Sequence, residues 1–227
     1  MFDDTVLFLK EFRRTFHTTG AVLPSSPGLG RALARYVGQV DGEASPAERR
    51  ILEVGPGTGS VTRHIVRRMT SGDRLDLVEL NDRFVKRLED LFREDKLLKR
   101  VSNRARIIHS TVQDLDSAAQ YDLIVSGLPL NNFTVDEVTM FLGTFQRLLK
   151  PCGVLSFFEY VGVRTARGMV VSRPERERLQ GIGRVLGDLL AKNEIRRQSV
   201  WFNVPPAWVH HVQFEREVRE ERLEVRG

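Results

Sequence analysis

Apolar positions along the chain follow two alternating rhythms. Short apolar runs at 51–54, 74–79, 105–109, 121–126 and 154–160 have the length and β-branched content of strands. Between them, 58–70, 82–98 and 135–149 carry apolar residues at helical spacing, the last stopped by Pro151 and Gly153. Strands alternating with helices predict βαβ units, right-handed crossovers and a mostly parallel sheet. Upstream, Phe2, Val6, Leu9, Phe12 and Phe16 place an apolar stripe on a predicted helix over 2–17, flanked by Lys10, Arg13, Arg14 and His17. A loop follows, then a second helix through about 37 and a linker over 38–49. Downstream, a helix over about 174–191 leads into two strand-like runs, 194–203 and 207–214, around Pro205-Pro206. These predict an antiparallel pair closing the sheet. The organisation expected is a helical, membrane-contacting segment over 1–37, one α/β domain over 48–214 and a charged tail over 215–227.

Composition narrows the class without choosing a function. At 227 residues and 41% hydrophobic, the chain suits one well-cored domain and excludes collagen-like or disordered architectures. No apolar run approaches the roughly 20 residues of a spanning helix, and the first residues lack the basic-then-apolar order of a signal peptide. A cytoplasmic protein is expected, peripherally associated with the inner face of a membrane. Cys152 is the sole cysteine, which precludes an intrachain disulfide. Lys and Arg outnumber Asp and Glu by 35 to 30, favouring anionic partners in general: nucleic acid, an anionic bilayer or an acidic small molecule.

The sharpest chemical signal is Ile51-Leu52-Glu53-Val54-Gly55-Pro56-Gly57-Thr58-Gly59, a strand running into a glycine-rich turn that opens a helix. Glycines there accept backbone angles barred to other residues and let a ligand approach the main chain. Glu79 follows twenty residues after Gly59, at the end of the next strand, where an acid can accept both ribose hydroxyls of a nucleoside. The G-x-G-x-G spacing differs from the G-x-G-x-x-G of dinucleotide binders. With the leading Glu53, it resembles motif I of the class I S-adenosylmethionine-dependent methyltransferases. The resemblance implies an α/β, Rossmann-like fold with a mostly parallel seven-stranded sheet, an antiparallel terminal strand pair and N-terminal amphipathic helices. It also implies S-adenosylmethionine as cofactor, S-adenosylhomocysteine as product and no metal. Glu53 would lie near the methionine moiety, Gly55, Gly57, Thr58 and Gly59 would form the cradle, and Glu79 would hold the ribose. The family places an Asp after strand three; Thr111 takes its position here, leaving the backbone of Thr111–Val112 to read adenine and Asp114 to cap a turn.

After strand four comes Ser126-Gly127-Leu128-Pro129-Leu130-Asn131-Asn132-Phe133. Adenine and amide methyltransferases carry an Asn/Asp-Pro-Pro-Tyr-like sequence there, whose aromatic stacks on a flipped base. Ser126 and Leu130 replace its polar head and its aromatic, which argues against a nucleic-acid substrate. Ser-Gly-Leu-Pro-Leu, together with Thr-Thr-Gly-Ala-Val-Leu-Pro-Ser-Ser at 18–26, resembles the bacterial membrane-lipid N-methyltransferases, which methylate phosphatidylethanolamine or ornithine lipid. The likeness extends to Tyr160 and to Asn203-Val204-Pro205-Pro206-Ala207. It implies a membrane-lipid acceptor on an anionic bilayer surface, leaves the two head groups level, and adds Gly20, Ser25 and Ser126 to the cofactor site. The chain departs from the compact phospholipid enzymes in its longer 164–193 region. Arginines over 164–178 there suit either contact with lipid phosphate or a solvated face.

A lipid ammonium must shed a proton before its nitrogen attacks a methyl group. Tyr160, Glu159 and Asn131 are the candidate catalytic or amine-orienting residues, with Tyr160 first because the family places a tyrosine there. Successive strand residues alternate faces, so only one of Glu159 and Tyr160 is expected to face the site. His210 and His211 are further candidates, each read as a surface or core histidine. Trp201, Trp208 and the Phe157-Phe158 pair read as core aromatics. His17, His64, His109, His210 and His211 form no metal-ligand motif. Two alternatives stand beside the lipid enzyme: an RNA adenine N6-dimethyltransferase and a non-catalytic, membrane-associated module that binds S-adenosylmethionine.

Overall fold

Five parallel strands form the body of one sheet: β1 (Arg50–Val54), β2 (Arg74–Glu79), β3 (Ala105–His109), β4 (Tyr121–Ser126) and β5 (Leu149–Tyr160). The computed structural model describes residues 25–38, 48–116, 118–161 and 172–214. The predicted helix over 2–17, Gly20 and the tail over 215–227 lie outside the described residues. With β6 (Glu194–Val200) and β7 (Ala207–Gln213), the strand order is β3-β2-β1-β4-β5-β7-β6. The last strand inserts between β5 and β6 and runs antiparallel to both. The order reverses between β1 and β4, which opens a crevice at the carboxyl ends of those strands.

Each face of the sheet is covered by helices whose apolar stripes complete a core. On one side, α1 (Pro27–Leu33), α2 (Thr62–Arg68) and α3 (Asp82–Glu94) bury Leu29, Leu33, Ile65 and Leu88 against Phe158 and Val209. On the other, α4 (Val135–Leu148) and α5 (Arg173–Asn193) bury Phe141, Phe145, Ile182 and Leu186 against Leu52, Leu155 and Phe157. A capping box between Thr134 and Glu137 starts α4. Asp76, on β2, binds its two neighbours β1 and β3 and reaches past β1 to β4. It accepts from Arg50 (2.9 Å), from both Nε and Nη2 of Arg106 (3.1 and 2.9 Å) and from the buried Tyr121 hydroxyl (2.8 Å).

Several boundaries differ from the sequence pattern. The helix expected from residue 58 begins at Thr62, because Gly57 and Gly59 stand at φ +56° and +78°, outside the helical region. The helix expected over 82–98 stops at Glu94. There the Asp95 side chain accepts the Leu97 and Leu98 N–H groups (2.9 and 3.1 Å), and a 3-10 segment over Leu98–Arg104 takes over. β5 starts at Leu149 and passes through Pro151 and Gly153 by a register irregularity, with Cys152 at φ +66°. β6 ends at Val200, and 201–206 form the turn before β7.

Candidate cofactor and acceptor site

The crevice at the β1/β4 switch holds an open cleft lined by Gly55, Glu79, Asn81, Thr111, Val112 and Gln113 among others. Three separated stretches of sequence meet there: the glycine turn after β1, the acid after β2 and the loop after β3. Gly55 donates to Val78 O (3.0 Å), keeping the turn against β2. The Glu79 side chain, buried at the end of β2, ties the walls together: Oε2 accepts the Gly57 N–H (3.1 Å) and Oε1 the Asn81 N–H (2.9 Å).

The glycines serve different ends. A Cβ on Gly57 would meet nothing nearer than Gly55 O at 4.0 Å, so its positive φ demands glycine and the space beside it stays open for a ligand. Gly59 also has a positive φ, and its Cβ would press on Leu91 of α3 at 3.0 Å. Gly127, which the sequence pattern did not single out, is the tightest of those near the cleft. Its N–H donates to Val54 O (2.8 Å), and a Cβ there would lie 2.8 Å from Gly55 O. Gly127→Ala is expected to cost about 1–3 kcal/mol of stability by forcing β4 away from the glycine turn. Denaturant unfolding would measure this, and an unchanged midpoint would show that the turn yields freely.

Two buried polar groups near this region lack hydrogen-bond partners among the described residues. Glu53 is fully buried, and neither carboxyl oxygen has a hydrogen-bond partner among the described residues. Burial pushes its carboxyl up to about 8; the neighbouring Thr62 opposes the rise and the Glu79 charge adds to it. Gln113 Oε1, in the cleft wall, is likewise buried and unpartnered among the described residues. Sequence reasoning passed over Gln113, although it directly follows the expected adenine-reading pair. Thr111 Oγ1 donates to Asp114 (2.6 Å), so Asp114 braces the turn and is not in the cleft lining. These observations fit the adenosyl and methionine ends of S-adenosylmethionine: an acid for the ribose, an open glycine cradle and a buried carboxyl for a cationic group. Thr58 is exposed, and among the described residues its hydroxyl meets that of Ser60 (3.0 Å).

The candidate acceptor residues come mainly from the loop after β4 and the end of β5. The Ser126 hydroxyl accepts the Leu128 N–H (3.3 Å) and closes the turn. Leu130 and Phe133 are wholly buried, and Asn131 is 2% exposed with no side-chain partner among the described residues. Arg178 of α5 donates to the Asn131 carbonyl (3.0 Å) and the Phe133 carbonyl while pairing with Glu175 (2.7 Å). Arg173 pairs with Glu177 (2.9 Å). Thus these two arginines of the 164–178 stretch act within the protein.

Tyr160 ends β5 on the α1 face, edge-on to Phe158 at 5.1 Å, and burial pushes its hydroxyl up, which keeps it protonated. Glu159 faces the opposite side, 5% exposed, with Oε1 3.4 Å from His210 Nε2. That histidine also meets Glu194 at 2.5 Å. His211 lies in the core on the Tyr160 face, bonded to the Ser156 hydroxyl (2.8 Å). Burial, with Arg35, Arg196 and His210 adding, brings its pKa down to about 4. Ser25 precedes the start of α1, where the Ser26 side chain caps Leu29 N–H (3.2 Å) and the Ser26 N–H donates to Asn203 Oδ1 (3.1 Å). Two distant motifs of the sequence, Ser25-Ser26 and Asn203-Val204-Pro205-Pro206, therefore form one joint. Among the described residues no group of three or more His, Cys, Asp or Glu is arranged to hold a metal, and no helix is long and apolar enough to cross a membrane.

A family model described as a methyltransferase domain matches residues 51–153. An ornithine lipid N-methyltransferase of Singulisphaera acidiphila is 28% identical over 163 residues, covering 67% of this chain and 76% of that protein. Among solved structures, an O-methyltransferase from Bacillus cereus in complex with S-adenosylhomocysteine aligns with TM-score 0.57 at 17% identity, covering 91% of this chain and 90% of that one. An O-methyltransferase of tomaymycin synthesis from Streptomyces achromogenes, in complex with S-adenosylmethionine, aligns with TM-score 0.60 at 15% identity, covering 89% and 86%. Both structures share the fold.

Proposed function

As a class I S-adenosylmethionine-dependent methyltransferase, this chain is, we propose, an N-methyltransferase that acts on the amino head group of a membrane lipid, ornithine lipid or phosphatidylethanolamine. The observation that carries the proposal is the 28% identity to an ornithine lipid N-methyltransferase over 67% of the chain. The acceptor loop supports it. With Leu130 and Phe133 buried, that loop presents no aromatic side chain on which a flipped base would stack, so a nucleobase acceptor is disfavoured.

Bound S-adenosylmethionine supplies an electrophilic methyl on a sulfonium: the amine lone pair forms the N–C bond, the C–S pair leaves on sulfur, and the product nitrogen releases a proton. The protein contributes position and electrostatics. Glu79 and the glycine turn orient the nucleoside, and Glu53 offers a countercharge to the cationic methionine end. Tyr160, held protonated, orients the acceptor amine by hydrogen bonding and does not act as a phenolate base. The Asn131 amide, buried and unpartnered among the described residues, is the second group available to the amine. Glu159, paired with His210 on the other face, takes no part in this scheme.

Mass spectrometry of lipids from a heterologous host making the protein, with and without co-produced ornithine lipid, tests the proposal. Methylated phosphatidylethanolamine or methylated ornithine lipid is the expected product. No change in either lipid, with S-adenosylmethionine still bound by the purified protein, would overturn it.

A further inference from the structure

The turn between β6 and β7 projects apolar side chains that the core does not take up. Phe202 is 99% exposed, Val204 71% and Trp201 63%, although Trp201 reads in the sequence as a core aromatic. The turn emerges beside the acceptor side of the domain: Val161, the residue after Tyr160, donates its N–H to Pro206 O (2.7 Å). Next to it lies a groove that Trp201 and Phe202 share with Arg31, Arg35 and Arg68. Among the described residues none of these three arginines pairs with a carboxylate, and Arg68 donates only to the Val37 and Arg35 carbonyls (3.0 and 2.8 Å).

We propose that the Trp201–Val204 tip inserts into the interfacial region of an anionic bilayer while Arg31 and Arg35 meet its phosphates, setting the Tyr160 end of β5 against the head groups. Trp and Phe partition into the interface, and each cation near an anionic surface adds to the attraction. Three apolar side chains on a narrow turn are far too few for a stable protein interface, which needs about 20–30 residues a side. The inference rests on the lipid-acceptor proposal for its purpose, and names the surface that would present the substrate.

The full chain has two tryptophans, so Trp208→Phe leaves Trp201 as the only indole. With vesicles of equal parts phosphatidylglycerol and phosphatidylcholine, Trp201 emission should shift to the blue and be quenched by acyl-brominated lipid. Vesicle affinity should fall about tenfold in Phe202→Ser and fall again with Arg31→Glu, while binding of S-adenosylmethionine reports an intact fold in each variant. Vesicle binding without quenching of Trp201, or binding indifferent to Phe202→Ser, would overturn the inference. So would self-association on gel filtration that Phe202→Ser abolishes without any vesicle binding. Methyl transfer to lipid in detergent micelles separates the two proposals. If micellar lipid is methylated while Trp201 stays unquenched, only the docking surface fails. If no lipid is methylated in micelles or vesicles, the acceptor assignment fails, even where Trp201 is quenched.

Discussion

Glu53→Gln is expected to make the protein more stable at alkaline pH and worse at binding S-adenosylmethionine. The wild-type carboxyl is fully buried, without a hydrogen-bond partner among the described residues, and burial raises its pKa from 4.5 to about 8. An acid raised in the folded state stabilises it fully below the unfolded pKa. That contribution is lost as pH climbs from 4.5 through about 8. Spread over that window, the loss is roughly 5 kcal/mol. Glutamine cannot ionise, so thermal or denaturant unfolding should show wild type and variant converging near pH 4 and separating above pH 8, with the variant more stable. Affinity should move the other way, at least tenfold weaker by calorimetry, because the ligand's cationic end loses its countercharge. Wild type should also release protons on binding near neutral pH, seen as a dependence of the binding enthalpy on buffer ionisation. Equal affinities, or a stability difference that does not change with pH, would take the Glu53 charge out of the cofactor site.

Glu79→Ala should weaken S-adenosylmethionine binding by roughly a hundredfold, about 2.8 kcal/mol. Two losses combine. The ribose loses its acceptor, and the Gly57 and Asn81 N–H groups, both bonded to this carboxylate, lose theirs. Glu79→Gln keeps one acceptor oxygen and should fall between wild type and alanine. Unchanged affinity in Glu79→Ala would remove Glu79 from the ribose site. A loss of stability with full affinity would leave it only a brace for the glycine turn.

Much of the site was legible because its parts are local. The turn after β1 needs positive φ at Gly55, Gly57 and Gly59, and only glycine adopts that without strain, so the requirement is written in the letters themselves. Glu79 was legible because the acid at the end of the second strand sits at a set distance along a βαβ unit. Helix and strand identities were legible from period, whereas boundaries shifted wherever a side chain or a backbone angle competed, as at Asp95 and Gly59.

Other features depend on chain segments that meet only in three dimensions. No pattern places the Asn203 amide on the Ser26 N–H, the Arg178 guanidinium on the Asn131 carbonyl, or Gly55 O where a side chain at Gly127 would begin. Each joins residues far apart in sequence, and nothing local to either partner demands the contact. The exposure of Trp201 and Phe202 is likewise invisible to periodicity. An apolar letter states a preference for burial, but the space to satisfy it belongs to the packed sheet. The sequence by itself determined the alternation of strands and helices, the glycine cradle and the acid after β2, since local backbone sterics and side-chain period govern these. Only the tertiary structure decided that β7 lies between β5 and β6, that Tyr160 takes the α1 layer and Glu159 the other, and that the β6–β7 turn stands proud beside the end of β5. Those outcomes follow from how long-range strand pairing shares out a limited buried volume.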